Sequence, residues 1–468
     1  MLPAIYPVAC HTDNIGFEST FVAIKGMRSD GISFIPLALK KGAKKIVVEQ
    51  TAYLSTEILQ LVCEHSALLI KVSNTRQALA ELSAQALFYP AKKLRIIGIT
   101  GTKGKTTTSF LLEHVFRTAG YRTALISSIY NKINDTILHT NLTTPHPDFL
   151  HVFFDQCVKE NIEIVVMEVA AQAISLDRVY DIIFDGILFT NFSLEHLEFY
   201  QSLEEYFSAK CKLFLQAKKN APILINGDDE WCKKVMLLNE SVQSFGFENT
   251  EVNTKAQWYF EQNEGIIVKI NDSVFKCPTL LGKFNAYNIF GVIAFAQALN
   301  LSDDVIKQGL TTFSGVPGRL EQYILSNGAQ CFIDKAHNPS SYQAVLCELR
   351  SMTQHLIVVF GAGGERDKSK RPLMGKIASE YADLVILTSD DPRTENPQDI
   401  INDILFGIAD NYKNNIICQI DREQAIRMAY QHSKAHSIIV LLGKGTDEYQ
   451  LINGKKLFFS EREIVHSL

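Results

Sequence analysis

The stretch LRIIGITGTKGKTTT, which begins at Leu94, constrains this chain more than any other. A β-branched run reads as a strand, stops at a glycine-rich turn, and passes through Lys105, Thr106 and Thr107 into SFLLEHVFRTAG, which reads as a helix. A strand, tight turn and helix in that order form one repeat of a parallel sheet. Glycines at 98, 101 and 104 let the backbone come close to an anion, and the helix start beyond them favours negative charge. Gly101, Thr102 and Gly104 would cradle phosphates, Lys105 would supply a point charge, and the Thr106 hydroxyl would reach Mg²⁺. The pattern is GxxGxxGKT and not the strict GxxxxGK[ST], because Ile99 stands where the first glycine of that form belongs. By itself the loop implies nucleotide binding and leaves the reaction open; the plainer alternative is a glycine-rich turn beside a surface lysine.

The same alternation runs along most of the chain. Further strands are expected at TALISSI, IEIVVMEVA and DGILFTNF, and after GVPGRLEQY at CFIDKA, HLIVVFGAGG, DLVILTSDDP, NIICQI and SIIVLLGKG, with helices between them. Shorter apolar runs (FVAIKG, KKIVVEQ, ALLIKVS) suggest a small α/β domain ahead of the loop. At 468 residues the chain exceeds what one core serves. The expectation is an α/β protein of three domains: residues 1–90, a small N-terminal domain; residues 91–317, a central doubly wound, mostly parallel P-loop sheet; and residues 318–468, a C-terminal Rossmann-like sheet.

Composition narrows the function classes. The net charge of -5 opposes broad capture of nucleic acid, although Lys368, Lys370 and Arg371 cluster closely enough to hold a small anion. No run approaches the roughly 18 apolar residues of a membrane span, and MLPAIYPVAC does not read as a secretory signal, so a soluble cytoplasmic protein is expected. Nine cysteines occur as singletons without a CxxC pair, which suggests buried reduced thiols.

Glu168 ends one expected strand and His196 follows another, so both should project at the carboxyl edge of the sheet, where the phosphate loop also opens. A carboxylate beside a triphosphate is a plausible Mg²⁺ ligand. Singly, a strand-end glutamate is more often solvated and a histidine half-buried; their weight comes from proximity.

The motifs GTKGKTTT, TTPHPD, MEVAAQA, FTNFSLEHLEFY, YFSAKCKLF, GKFNAYN, GRLE, FGAGGERDKSKRPLMG, TSDDPR and GKGTDEYQ follow one another in fixed order. In that order they closely resemble the Mur ligase family, and within it the E-type enzymes that add the third amino acid to UDP-N-acetylmuramoyl-L-alanyl-D-glutamate. The resemblance implies an ATP-dependent amide ligase that makes an acyl phosphate, with Lys105 on the β- and γ-phosphates and Thr106, Glu168 and His196 around Mg²⁺. It implies carbamylation of Lys210, adenine contact by Asn288, and closure over ATP by Arg319 and Asp334, with a weaker match at His337 that also suits a cap for the helix near Asn338. For the UDP-linked muramoyl dipeptide it points to the N-terminal domain and to Thr143, Thr144 and Arg178. A monomer and a free amino acid as second substrate complete that expectation.

Departures from the family pattern matter. The usual MEVSSHA is MEVAAQA here, so Ala170, Ala171 and Gln172 lack two hydroxyls and an imidazole. The family's third-amino-acid loop DNPR goes with meso-diaminopimelate, because a guanidinium pairs bidentately with the distal carboxylate that lysine lacks. Here Asp390, Asp391 and Arg393 form DDPR, and Gly443 and Asp447 belong to GKGTD in place of GKGHE. Arg393 favours meso-diaminopimelate, whereas Asp391 adds a negative charge that suits the bare ammonium of L-lysine. Rival readings are a ligase of the same superfamily acting on a non-muramyl carboxylate, folate included, and a non-catalytic P-loop protein.

Overall fold

The computed structural model describes residues 2–26, 29–193, 199–236, 242–249, 251–261 and 264–468. His196 lies outside the described residues. The chain resolves into two compact units: residues 1–259 with 267–277 and 287–313, and residues 260–266 with 278–286 and 314–468.

Two sheets dominate the first unit. Strands Val8–Ala9, Thr20–Val22, Lys45–Glu49 and Leu68–Val72 pair in parallel, in chain order. The nine-stranded sheet runs Thr254–Lys255, Val242–Gly246, Ile223–Asn226, Gly186–Phe189, Arg95–Thr100, Ile164–Glu168, Thr123–Ile126, Tyr130–Ile133, Thr136–His139. Its central strands are parallel and buried throughout, as expected when helices cover both faces; Arg95 alone is exposed among them. The last two strands form an antiparallel hairpin turned by Asn134 at φ 51°. The alternating-unit pattern did not anticipate this hairpin, because its strands are short and its outer one is largely solvated. The two sheets are tied together where the Asp148 carboxylate, in the first turn of helix Pro147–Lys159, accepts the Cys10 N–H at 3.0 Å.

The second unit carries a six-stranded sheet in the order Glu321–Ile324, Gln330–Asp334, Ile438–Leu442, Leu356–Phe360, Leu384–Leu387, Ile416–Cys418. Only the first strand is antiparallel. Parallel strands put every carboxyl end on one edge, so the segments after Asp334, Phe360, Leu387 and Leu442 converge there.

Two expectations need correction. Cys157, Cys232, Cys277 and Cys331 are buried, but Cys63, Cys347 and Cys418 are exposed, and all nine cysteines are free. The basic cluster is not an open anion site. Arg371 is fully buried and bonds Glu395 and Asp403, Lys368 pairs with Glu395 at 3.3 Å, and Lys370 donates to the His337 carbonyl.

Candidate active site

Strand Arg95–Thr100 lies between Ile164–Glu168 and Gly186–Phe189, so the loop that follows Thr100 opens between the ends of its two neighbours. The loop's shape depends on two glycines. Gly101 has φ 139° and a Cβ there would stand 2.1 Å from Thr190 Oγ1; Gly104 has φ 81° and its Cβ would stand 2.3 Å from Asn288 Oδ1. Both the left-handed torsion and the close neighbour exclude a side chain. Asn191 and Thr190, which the sequence did not single out, hold the loop from the adjacent strand. The Asn191 amide accepts the Lys103 N–H at 2.9 Å and donates to the Lys103 carbonyl at 3.1 Å, and Thr190 Oγ1 donates to that carbonyl at 2.6 Å.

Two lysines converge on one oxygen. Lys105 Nζ donates to the Gly101 and Thr102 carbonyls at 2.9 Å each, and Lys210 Nζ donates to the same Gly101 carbonyl at 2.7 Å. Lys210 belongs to helix Leu203–Cys211, is 1% exposed, and lies 4.7 Å from the centre of the Tyr206 ring. A surface ammonium is therefore the wrong description of it. The Lys105 ammonium raises the local positive potential where a triphosphate would sit.

Beside them, Glu168 is 1% exposed; its Oε2 accepts Thr106 Oγ1 at 3.1 Å and its Oε1 accepts the Ser128 N–H at 2.9 Å. A buried carboxylate bonded to a hydroxyl is a pair of hard oxygen donors. That fits Mg²⁺, which prefers one or two carboxylates together with substrate phosphates. Thr107 is buried in the first turn of helix Lys105–Thr118, and Asn288 is held behind the loop, where its Oδ1 accepts Thr108 Oγ1 at 3.3 Å.

Thr144 connects this edge to Arg178. Its hydroxyl donates to the Glu168 carbonyl at 2.9 Å and accepts the Ala170 N–H at 3.1 Å, while its own carbonyl accepts Arg178 Nη1 at 3.0 Å. Thr143, one residue earlier, is half-buried. Arg178 also has a buried Nε without a hydrogen-bond partner among the described residues. Burial, with Arg76 beside it, pulls the Arg178 pKa down, and burial with Arg178 lowers that of His146. Such an electropositive corner suits an anionic substrate. The AAQA departure has a visible effect here: Ala170 is the N-cap of helix Ala171–Ser175 and makes no side-chain capping bond.

In the second unit, Asp334 shapes the turn that carries Arg319. Its carboxylate accepts the N–H groups of Leu320 at 2.8 Å and Ala336 at 2.7 Å, and Arg319 itself is half-buried. The following helix is capped by Asn338 in a full capping box, not by His337, whose ring bonds the Lys335 carbonyl. Asp391 Oδ1 receives Lys444 Nζ at 2.7 Å and the Leu451 N–H at 3.0 Å; Asp390 Oδ1 lies 3.6 Å from the same ammonium. Asp447 pairs with Lys335. Gly443 takes φ 112° against Asp390. Arg393, at φ 55°, is fixed by backbone bonds to Leu451 and Asn453 and lines a cleft of about 790 Å³ with Thr394, Glu395, Gln450 and Asn453. Lys444 and Lys335 escaped the sequence reading, since a lysine in a loop carries no sign of its partner.

Residues 99–296 match the Mur ligase middle domain, and residues 318–445 match the glutamate ligase domain of Mur ligases. The chain belongs to the Mur ligase family, and is thus an ATP-dependent ligase. It is 38% identical over 459 residues to the UDP-N-acetylmuramoyl-L-alanyl-D-glutamate--2,6-diaminopimelate ligase of Clostridium perfringens, covering 96% of this chain and 91% of that one. The ligase of the same description from Aquifex aeolicus is 36% identical over 451 residues, covering 96% and 90%. Among solved structures, a UDP-N-acetylmuramoyl-L-alanyl-D-glutamate--2,6-diaminopimelate ligase superposes with a TM-score of 0.67 at 26% identity, over 99% of this chain and 94% of that one. MurF ligase from Thermotoga maritima, solved in complex with ADP, shares the fold with a TM-score of 0.66 at 19% identity, covering 94% of each chain.

Proposed function

We propose that the protein joins meso-diaminopimelate to the glutamyl carboxylate of UDP-N-acetylmuramoyl-L-alanyl-D-glutamate, with ATP converted to ADP and phosphate, in the cytoplasm and as a monomer. The observation that carries the choice of amino acid is Arg393, which lines the cleft at the carboxyl edge of the second sheet. A planar fork of donors distinguishes a side chain ending in a carboxylate from one ending in a lone ammonium. In this reading residues 1–90 and the Thr144 and Arg178 corner take the UDP-linked substrate, residues 91–317 take ATP, and residues 318–468 take the amino acid.

The chemistry follows from charge and position. The substrate carboxylate attacks the γ-phosphorus of ATP, and the bond to the bridging oxygen breaks to release ADP. The amine of the incoming amino acid then attacks the acyl phosphate carbon, an amide forms, and inorganic phosphate leaves while the amine loses its proton. Phosphoryl transfer needs mostly positioning and neutralisation of charge. Lys105 and the loop N–H groups orient the phosphates, and Lys210, carbamylated in this reading, lies at the base of the same loop. Thr106 and Glu168, joined by His196, would hold Mg²⁺, which when bound supplies neutralisation of phosphate charge. The resemblance to Mur ligases gives Arg319 and Asp334 a part in closing over the nucleotide, and gives Asn288 contact with adenine.

The test measures ADP formation by the whole protein with UDP-muramoyl dipeptide and a panel of amines. Turnover that requires the dipeptide and is fastest with meso-diaminopimelate is expected. Faster turnover with L-lysine would move the assignment to the lysine-adding type, and turnover only with another carboxylate would move it to a different carrier, which the uncapped Ala170 makes worth including. Binding of ATP without any acceptor-dependent turnover would overturn the enzymatic reading.

A further inference from the structure

The loop that carries Arg393 holds two adjacent carboxylates, and their charge opposes the selection of a dicarboxylic amino acid. Lys444 answers that charge. Its side chain is fully buried, and its Nζ lies 2.7 Å from Asp391 Oδ1, 3.6 Å from Asp390 Oδ1 and 5.2 Å from the centre of the Tyr449 ring. The placement is built in. Lys444 stands between Gly443 at φ 112° and Gly445 at φ 56°. A Cβ on Gly443 would come within 2.6 Å of Asp390 Oδ2, and one on Gly445 within 2.9 Å of the Lys335 Cβ. Left-handed torsions and close neighbours on both sides favour glycine there and hold the turn that carries the lysine inward. The neighbouring acid, Asp447, is occupied separately by Lys335, whose Nζ also donates to the Lys444 carbonyl at 3.1 Å.

We propose that Lys444 is a positioning and specificity-determining residue: by neutralising Asp391 it makes a DDPR loop act electrostatically like one with an uncharged second residue, so that Asp391 does not cancel the charge that Arg393 offers the incoming amino acid. This rests on the proposed ligation of an amino acid at Arg393. It removes the objection that Asp391 favours a bare ammonium, because that carboxylate is already spent on Lys444 and on the Leu451 N–H. A buried charge pair of this kind is costly to break from one side and nearly neutral to remove whole.

Counting Asp390, Asp391 and Lys444, the loop carries one net negative charge. The variant K444M carries two, D391N none, and the double variant one again. The measurement is the ratio of kcat/KM for meso-diaminopimelate to that for L-lysine in each whole protein, together with KM for ATP and the melting temperature. The expected order is D391N highest, wild type and double variant similar, and K444M lowest, with K444M about tenfold or more below wild type and KM for ATP unchanged. Should K444M fail to fold, D391N and the double variant still read the coupling, because the second lysine-to-methionine change must cancel the effect of the first. A ratio that does not move, or diaminopimelate, lysine and ATP parameters that all worsen by one factor, would overturn the proposal. A wild-type ratio below one would instead overturn the assignment of diaminopimelate, while the order of the variants would still decide the role of Lys444.

Discussion

The glycine-rich loop of the first unit and the Arg393 loop of the second both sit at the carboxyl edge of a parallel sheet, yet they are built in opposite ways. The first is mostly local: Gly101, Thr102, Gly104, Lys105 and Thr106 are consecutive or nearly so, and Lys105 bonds carbonyls three and four residues behind it. The second is assembled from distant segments, with Asp391 meeting Lys444 and Leu451 at separations of 53 and 60 residues and Lys335 meeting Asp447 at 112. A local site can be read residue by residue. A site assembled across the chain takes its charge from pairs, so one substitution has no meaning until its partner is known.

The largest effect should come from the local loop. Lys105→Ala should lower ADP formation by about 10³-fold with little change in melting temperature, since an oriented cation at transferring phosphate is worth several kcal/mol. Lys210→Ala should fall as far and be partly restored by added short carboxylates; unaltered turnover in either variant would mean that the residue takes no part in phosphoryl transfer. Next in size is a stability effect confined to the first unit. Burial lowers the His151 pKa from 6.5 to about 4, so the unfolded chain takes up the proton first and native stability falls as pH drops through that window. The loss reaches up to about 3 kcal/mol, and His151→Leu should flatten it in urea titrations at pH 7 and pH 4.5.

In the second unit's loop, Arg393→Ala should raise KM for meso-diaminopimelate about 30-fold and leave KM for ATP alone, the cost of leaving a substrate carboxylate unpaired. Equal changes in both constants would make Arg393 a structural residue. Gly443→Ala should be the mildest, a loss of about 1–3 kcal/mol seen in thermal unfolding, because a left-handed torsion is strained and the new methyl group presses on Asp390. If its catalytic effect instead exceeded that of Arg393→Ala, the shape of the loop and not its charge would control selection.

Sequence alone placed the strands ending at Thr100, Glu168, Phe189, Asp334, Phe360, Leu387 and Leu442, because buried parallel strands are written as uninterrupted β-branched runs. The hairpin Tyr130–Ile133 with Thr136–His139, and the hairpin Tyr449–Ile452 with Lys455–Phe458, went unread: each pairs a short strand with a largely exposed one, and such strands lack that signature. Family resemblance supplied Lys210 as a residue of interest, but only packing against Tyr206 and the Gly101 carbonyl distinguishes it from a lysine on a helix surface.

What the sequence determined by itself is the order of elements, the phosphate loop and the edge at which it opens, since hydrophobic period and glycine position act over a few residues. What tertiary structure decided is which charges remain available there: Asp391 and Asp447 are neutralised, Arg371 is sequestered, and Lys105 and Lys210 meet at one oxygen. Electrostatic interaction depends on distance in space and on burial, and a linear chain records neither.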